Sequence, residues 1–168
     1  MASKRRGIDA KSRLMKELRA SQEEGENEIF LYLRPVDDAD LLHWEAVLKG
    51  TTGSPYEGGL WGLSIAVPAD YPIKPPTVKF TTKIVHPNID WSTGEICSSL
   101  NNDWKPSVGL SGVLAAIQQL LMFPDPDSPL NVEIAVLVRN GDFAGWESIV
   151  RYWTEEERWE EGRIPGRR

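Results

Sequence analysis

A chain of 168 residues and 18.9 kDa has the size of one folded domain and is long enough to enclose one core. Its 40% hydrophobic and 26% charged residues exclude collagen-like, low-complexity and wholly disordered readings, and a net charge of −6 argues against a general nucleic-acid binder. That charge is unevenly placed: residues 1–19 carry seven bases (Lys4, Arg5, Arg6, Lys11, Arg13, Lys16, Arg19) and two acids, a local +5 that leaves −11 for the remainder. A basic N-terminal segment of this kind suits an acidic partner.

From Asp9 to Ser21, Leu14 and Leu18 recur at i, i+4 with bases on the other faces, which predicts an amphipathic helix ending near Gly25. Ile29–Pro35, Leu41–Leu48, Leu60–Val67 and Thr77–Thr81 are short runs rich in branched and aromatic residues, divided by Asp37-Asp38, residues 50–55 and Glu57-Gly58-Gly59. They predict an antiparallel meander. Four prolines between Val67 and Pro76 predict a stiff, extended loop. Residues 82–111 show no sustained period, and a long irregular segment inside a compact domain is usually functional.

Ser111 is the expected N-cap of a helix whose apolar positions are Val113, Leu114, Ile117, Leu120 and Leu121, with Pro124 as its stop. Two more helices are expected at Val132–Arg139 and Phe143–Trp153, the second with Trp146, Ile149 and Trp153 on one face. The charged tail 154–168 is expected to be partly frayed. The fold class is α+β in a single domain spanning 1–168, with its core at about 8–153.

With one cysteine, Cys97, no intrachain disulfide can form, and a reducing, intracellular compartment is the simpler expectation. Neither a secretory signal nor the ~20 apolar residues of a membrane span is evident, so no direct membrane insertion is expected. The Arg-rich start resembles a mitochondrial presequence, but Asp9, Glu17, Glu23 and Glu24 count against one.

Cys97 lies in the polar stretch 94–102, where a reactive thiol and an inert one both remain open. Of the two histidines, His43 sits in an apolar run and reads as a strand residue, while His86-Pro87-Asn88 lies just upstream of the cysteine. A bland reading makes the trio a turn; a sharper one makes Asn88 an amide donor to an oxyanion formed near Cys97, with His86 supporting the loop. Spacing does not choose between them, and a His/Cys/Asn set also fits a cysteine protease.

His86-Pro-Asn-Ile, Gly94-Glu-Ile-Cys97, Trp104-Lys-Pro106 and Pro126-Asp-Ser-Pro-Leu130-Asn, preceded by Tyr56-Glu-Gly-Gly-Leu60 and Asp70-Tyr-Pro-Ile-Lys-Pro-Pro76, resemble the ubiquitin-conjugating enzymes in their family order. The resemblance implies an N-terminal helix, a four-stranded antiparallel sheet, an active-site loop, a central helix and C-terminal helices. It implies that Cys97 holds ubiquitin as a thioester, Asn88 stabilises the oxyanion, His86 and Pro87 are structural, and Ser128 with its neighbour Asp127 stands at the gate beside the cysteine. It assigns Arg5, Arg6, Lys11 and Arg13 to the ubiquitin-activating enzyme, and Pro72, Ile73, Pro106 and Ser107 to RING-type ligases. No cofactor and no metal are implied, since exchange between thioesters and discharge to an amine need only positioning and charge stabilisation.

The chain departs from the usual family pattern at Ser98-Ser-Leu-Asn101, where most members continue Leu-Asp-Ile-Leu, and at Ile73 and Ser107 in the ligase-facing loops. Residues 129–135, 139–142, 149–152 and the tail Trp153-Thr-Glu-Glu-Glu-Arg-Trp159 resemble the peroxisomal branch of the family, its fungal forms above all. That branch implies a cytoplasmic enzyme held at the cytosolic face of the peroxisome by a membrane-anchored peroxin, acting on the cycling import receptor; the ending Gly166-Arg-Arg is no matrix address. A non-catalytic ubiquitin-binding variant, a cysteine protease and a conjugating enzyme for another modifier or pathway are the alternatives.

Overall fold

The structure, a computed structural model, describes residues 9–162. Helix α1 (Ala10–Glu24) leads into strands β1 (Phe30–Asp37), β2 (Asp40–Lys49), β3 (Leu60–Ala66) and β4 (Thr77–Phe80). An irregular stretch containing one 3-10 turn (Ser98–Asn101) is followed by α2 (Gly109–Met122), α3 (Val132–Arg139) and α4 (Phe143–Glu156). The four strands form one antiparallel sheet in sequence order, as the alternation predicts. Its register sets Ala46 opposite Leu33 and Leu63, and Leu63 opposite Phe80. One face therefore presents Phe30, Leu33, Trp44, Ala46, Leu48, Trp61, Leu63 and Ile65 to Leu14 of α1 and to Leu110, Leu114, Ile117 and Leu121 of α2.

Three expectations are corrected. Ser111 does not cap α2; it lies inside the helix, which begins at Gly109. The Leu110 N–H, which has no intrahelical partner, donates instead to the Glu17 carboxylate at 2.7 Å, so the cap comes from α1, 93 residues away in sequence. The proline-rich segment is turned rather than extended: Tyr71 N–H bonds Pro68 O, Ile73 N–H bonds Asp70 O, and Tyr71-Pro72 is cis. Tyr71 anchors it, buried against Trp104 with its hydroxyl donating to Glu17 at 2.6 Å.

The third correction concerns the tail. Helix α4 continues to Glu156, and the segment after it folds back across the sheet, where the Trp159 N–H donates to Leu60 O and the indole meets the Tyr32 ring edge-on. Trp159 also lies 3.1 Å from where a Cβ on Gly62 would stand. Tyr32 and Gly62 are the register partners of Val47, which points away from the main core and yet is fully buried. Aromatic burial on the sheet's outer face thus outweighs the fraying that a charged tail suggests.

Candidate active site

Two strands' worth of irregular chain carry the site, and backbone hydrogen bonds define their relation. The Cys97 N–H donates to Asn88 O at 2.9 Å and Ile89 bridges Ile96, so the cysteine lies antiparallel to the His86-Pro87-Asn88 segment. The turn joining them is fixed by Gly94, at φ +70°, where a Cβ would stand 1.9 Å from Phe80 O. No side chain fits there, and the Phe80 N–H to Gly94 O bond pins this hairpin to the end of β4.

His86 and Asn88 are completely buried. The His86 Nδ1 accepts the Asn88 N–H at 3.0 Å, which places the ring proton on Nε2, donating to Leu120 O at 2.9 Å in the last turn of α2. Burial lowers the His86 pKa from its ordinary 6.5 to about 3, so the imidazole is neutral at physiological pH and suits a structural part rather than a general base. The unfolded chain binds a proton at His86 that the native state refuses between about pH 3 and 6.5, so stability is full above that window and falls as pH drops into it. We expect a loss of about 1.4 kcal/mol per pH unit there, checked by denaturant unfolding of the wild type and His86→Gln, whose acid slope should be shallower.

The Asn88 side chain ties the hairpin to the loop after α2. Its Nδ2 donates to Asp125 O at 2.6 Å and to Ser128 O at 2.9 Å, and its Oδ1 accepts the Asp125 N–H at 2.8 Å. Pro87 O accepts the N–H groups of Leu130 and Asn131. One residue therefore joins the Cys97 strand, through its backbone, to the Asp127-Ser128 loop, through its side chain. Asp127 and Ser128 are both exposed. In this conformation both amide protons of Asn88 are committed to loop carbonyls.

Cys97 is only 4% exposed, and its Sγ lies 2.9 Å from the Ser99 hydroxyl. Sequence reasoning noted Ser99 only as part of the departure at residues 98–101 and gave it no role, although its place two residues after the cysteine was the available signal. It passed over Glu17 too, whose carboxylate gathers Arg13 Nε at 2.6 Å, the Tyr71 hydroxyl and the Leu110 N–H. Among the residues read as basic-face contacts, Lys11 is exposed, Arg13 is held by Glu17, and Arg5 and Arg6 lie outside the described residues. Ile73 is 76% exposed, and Pro106 and Ser107 are exposed while Pro72 is buried; the Trp104 indole donates to Pro72 O at 3.1 Å, bringing the two loops into one surface. His43 lies on β2 but faces solvent, paired with Asp40, whose carboxyl its ring holds below the usual range. No described helix is long and apolar enough to cross a membrane.

The profile of the family described as "Ubiquitin-conjugating enzyme" matches residues 13–154. The chain is 46% identical to the ubiquitin-conjugating enzyme E2 pex4 of Dictyostelium discoideum, over 85% of this chain and 95% of that relative. It is 49% identical to the ubiquitin-conjugating enzyme E2 16 of Schizosaccharomyces pombe, over 84% and 89%. In structure it resembles the H. polymorpha ubiquitin conjugating enzyme Pex4p solved in complex with the soluble domain of Pex22p, with a TM-score of 0.83, 32% identity and coverage of 88% of this chain and 97% of that one.

Proposed function

Because the chain belongs to the ubiquitin-conjugating enzyme family, we propose that Cys97 accepts ubiquitin's C-terminus as a thioester from an activating enzyme and passes it to an amine with a RING-type ligase. The observation that carries this reading is the bonded assembly of the only cysteine with Asn88 and the Asp127-Ser128 loop. Asn88 serves the oxyanion by exchanging the longer of its two amide bonds, that to Ser128 O, when the acceptor attacks. His86, neutral and buried, holds the loop in place. The test is incubation with activating enzyme, ATP and ubiquitin, read on a non-reducing gel: an adduct that vanishes with reductant is expected, and none at any enzyme concentration would overturn the reading.

The basic face of α1 serves the activating enzyme, with Lys11 exposed for that purpose and Arg13 already engaged by Glu17. Reversing Arg5, Arg6 and Lys11 to Glu should slow charging severalfold at low salt. The wild-type advantage should shrink as added salt screens the attraction over ~8–10 Å. Equal charging rates at low salt would return this face to plain solvation. The joined surface of Ile73, Pro106 and Ser107 serves the ligase, an exposed branched residue beside a proline-fixed loop held by Trp104.

In the cell this reading places the enzyme on the cytosolic face of the peroxisome, in recycling of the import receptor. It is supported by the likeness to peroxin-4 proteins, among them the Arabidopsis thaliana protein PEROXIN-4 at 42% identity, and to the Pex4p solved with Pex22p. A membrane-anchored peroxin docks on the C-terminal half. Of the aromatic candidates Trp146, Tyr152 and Trp153, Trp146 is buried in the core and Trp153 packs on Trp91, which leaves Tyr152, 57% exposed, as the anchor; Val136 and Phe143 are further exposed apolar residues of this half. Uniform cytosolic distribution of a tagged copy, with and without the anchor, would overturn the location and leave the chemistry untouched.

A further inference from the structure

We infer that the Ser99 hydroxyl is a catalytic hydrogen-bond donor to Cys97 Sγ, stabilising the sulfur whenever it carries negative charge. The inference rests on the proposed thioester chemistry. Ser99 Oγ lies 2.9 Å from Cys97 Sγ, and in the resting thiol either atom can donate. Once the sulfur is a thiolate only the hydroxyl can. The contact is built into the chain: the Leu100 N–H bonds Cys97 O and the Asn102 N–H bonds Ser99 O, which wind residues 98–101 into the 3-10 turn that brings the hydroxyl back over the sulfur. Cys97 is nearly buried, and a hydrogen bond is electrostatically stronger in a low-dielectric setting, so a donor aimed at the sulfur counts for more than it would in water.

The same donor serves both half-reactions. In charging, the bond from Cys97 Sγ to the ubiquitin carbonyl forms as the activating enzyme's thioester bond breaks, and the proton Cys97 gives up ends on the departing thiol. In discharge, the acceptor nitrogen bonds the carbonyl, the electron pair of the breaking bond leaves on Cys97 Sγ, and a proton from the amine ends on that sulfur. Ser99 faces the thiolate as nucleophile in the first case and as leaving group in the second. With Asn88 serving the carbonyl oxygen as proposed above, the two residues divide the charge of one transition state between them. An acid at position 99 would set a negative charge against a negative sulfur, whereas a serine supplies a proton donor.

Three readouts test this. Alkylation of Cys97 by iodoacetamide needs no ubiquitin, and Ser99→Ala should slow it about tenfold at neutral pH, the scale of one hydrogen bond to a charged group. Single-turnover charging and discharge to free lysine should both slow by a similar factor, and Ser99→Thr, which keeps the hydroxyl, should restore most of each rate. Wild-type alkylation in Ser99→Ala, or a Ser99→Thr as slow as Ser99→Ala, would overturn the assignment. Slowed alkylation in Ser99→Ala together with no charging of the wild type would sink the conjugation reading and leave the hydroxyl's hold on the sulfur standing.

Discussion

Cys97→Ala should form no ubiquitin adduct that reductant can cleave, and Cys97→Ser should form one that reductant leaves intact. Both outcomes follow from the chain's single thiol. Alanine removes the nucleophile, and no second sulfur can replace it. Serine keeps an oxygen in the same place, within reach of Ser99 and antiparallel to Asn88, so an ester replaces the thioester. The ester forms far more slowly, because a hydroxyl is seldom ionised where a thiol often is. It resists thiols and yields to alkali. Charging gels of the three proteins, each run with and without reductant, check this; a reductant-sensitive adduct on Cys97→Ala would remove Cys97 from the chemistry.

Asn88→Ala is the second large effect. The charged variant should discharge to free lysine roughly 10²–10³-fold more slowly, the scale of one lost oxyanion donor, while charging changes much less. The structure adds a cost: Asn88 is fully buried and its amide makes three hydrogen bonds to residues 125 and 128. Losing them takes this partner from Ser128 O and from the Asp125 N–H, while Asp125 O keeps the Ser128 N–H at 3.4 Å, at a cost of about 1–3 kcal/mol of stability for each group left unsatisfied. Pulse-chase discharge at matched charging, beside a denaturant melt, separates the two effects. Slower discharge with a wild-type loop is the oxyanion effect; equal discharge with lowered stability would make Asn88 a structural clasp alone.

Periodicity placed α1, the meander and the three C-terminal helices, because each buries one regular face of local sequence against the core. What it could not place depends on contacts distant in the chain. Glu17 caps Leu110 across 93 residues, so the local serine that a capping rule selects goes unused. Trp159 finds Leu60 across 99 residues and Tyr32 across 127, and nothing in the charged tail announces a landing site on the sheet. Prolines announced stiffness but not direction: the turn at 70–73 is imposed by Tyr71, gripped by Glu17 and Trp104. Within the site, Cys97 and Asn88 were legible from the family's motif order and not from spacing. Their backbone bond and the Asn88 clasp on residues 125–128 required the fold.

The central claim is a thioester at Cys97, and its most direct measurement is intact mass after incubation with activating enzyme, ATP and ubiquitin, followed by peptide mapping without reductant. The account predicts a gain of one ubiquitin less one water, located on the peptide holding Cys97 and released by brief thiol treatment. An adduct that survives thiol and maps to a lysine, with Cys97 free in the same molecules, would contradict it.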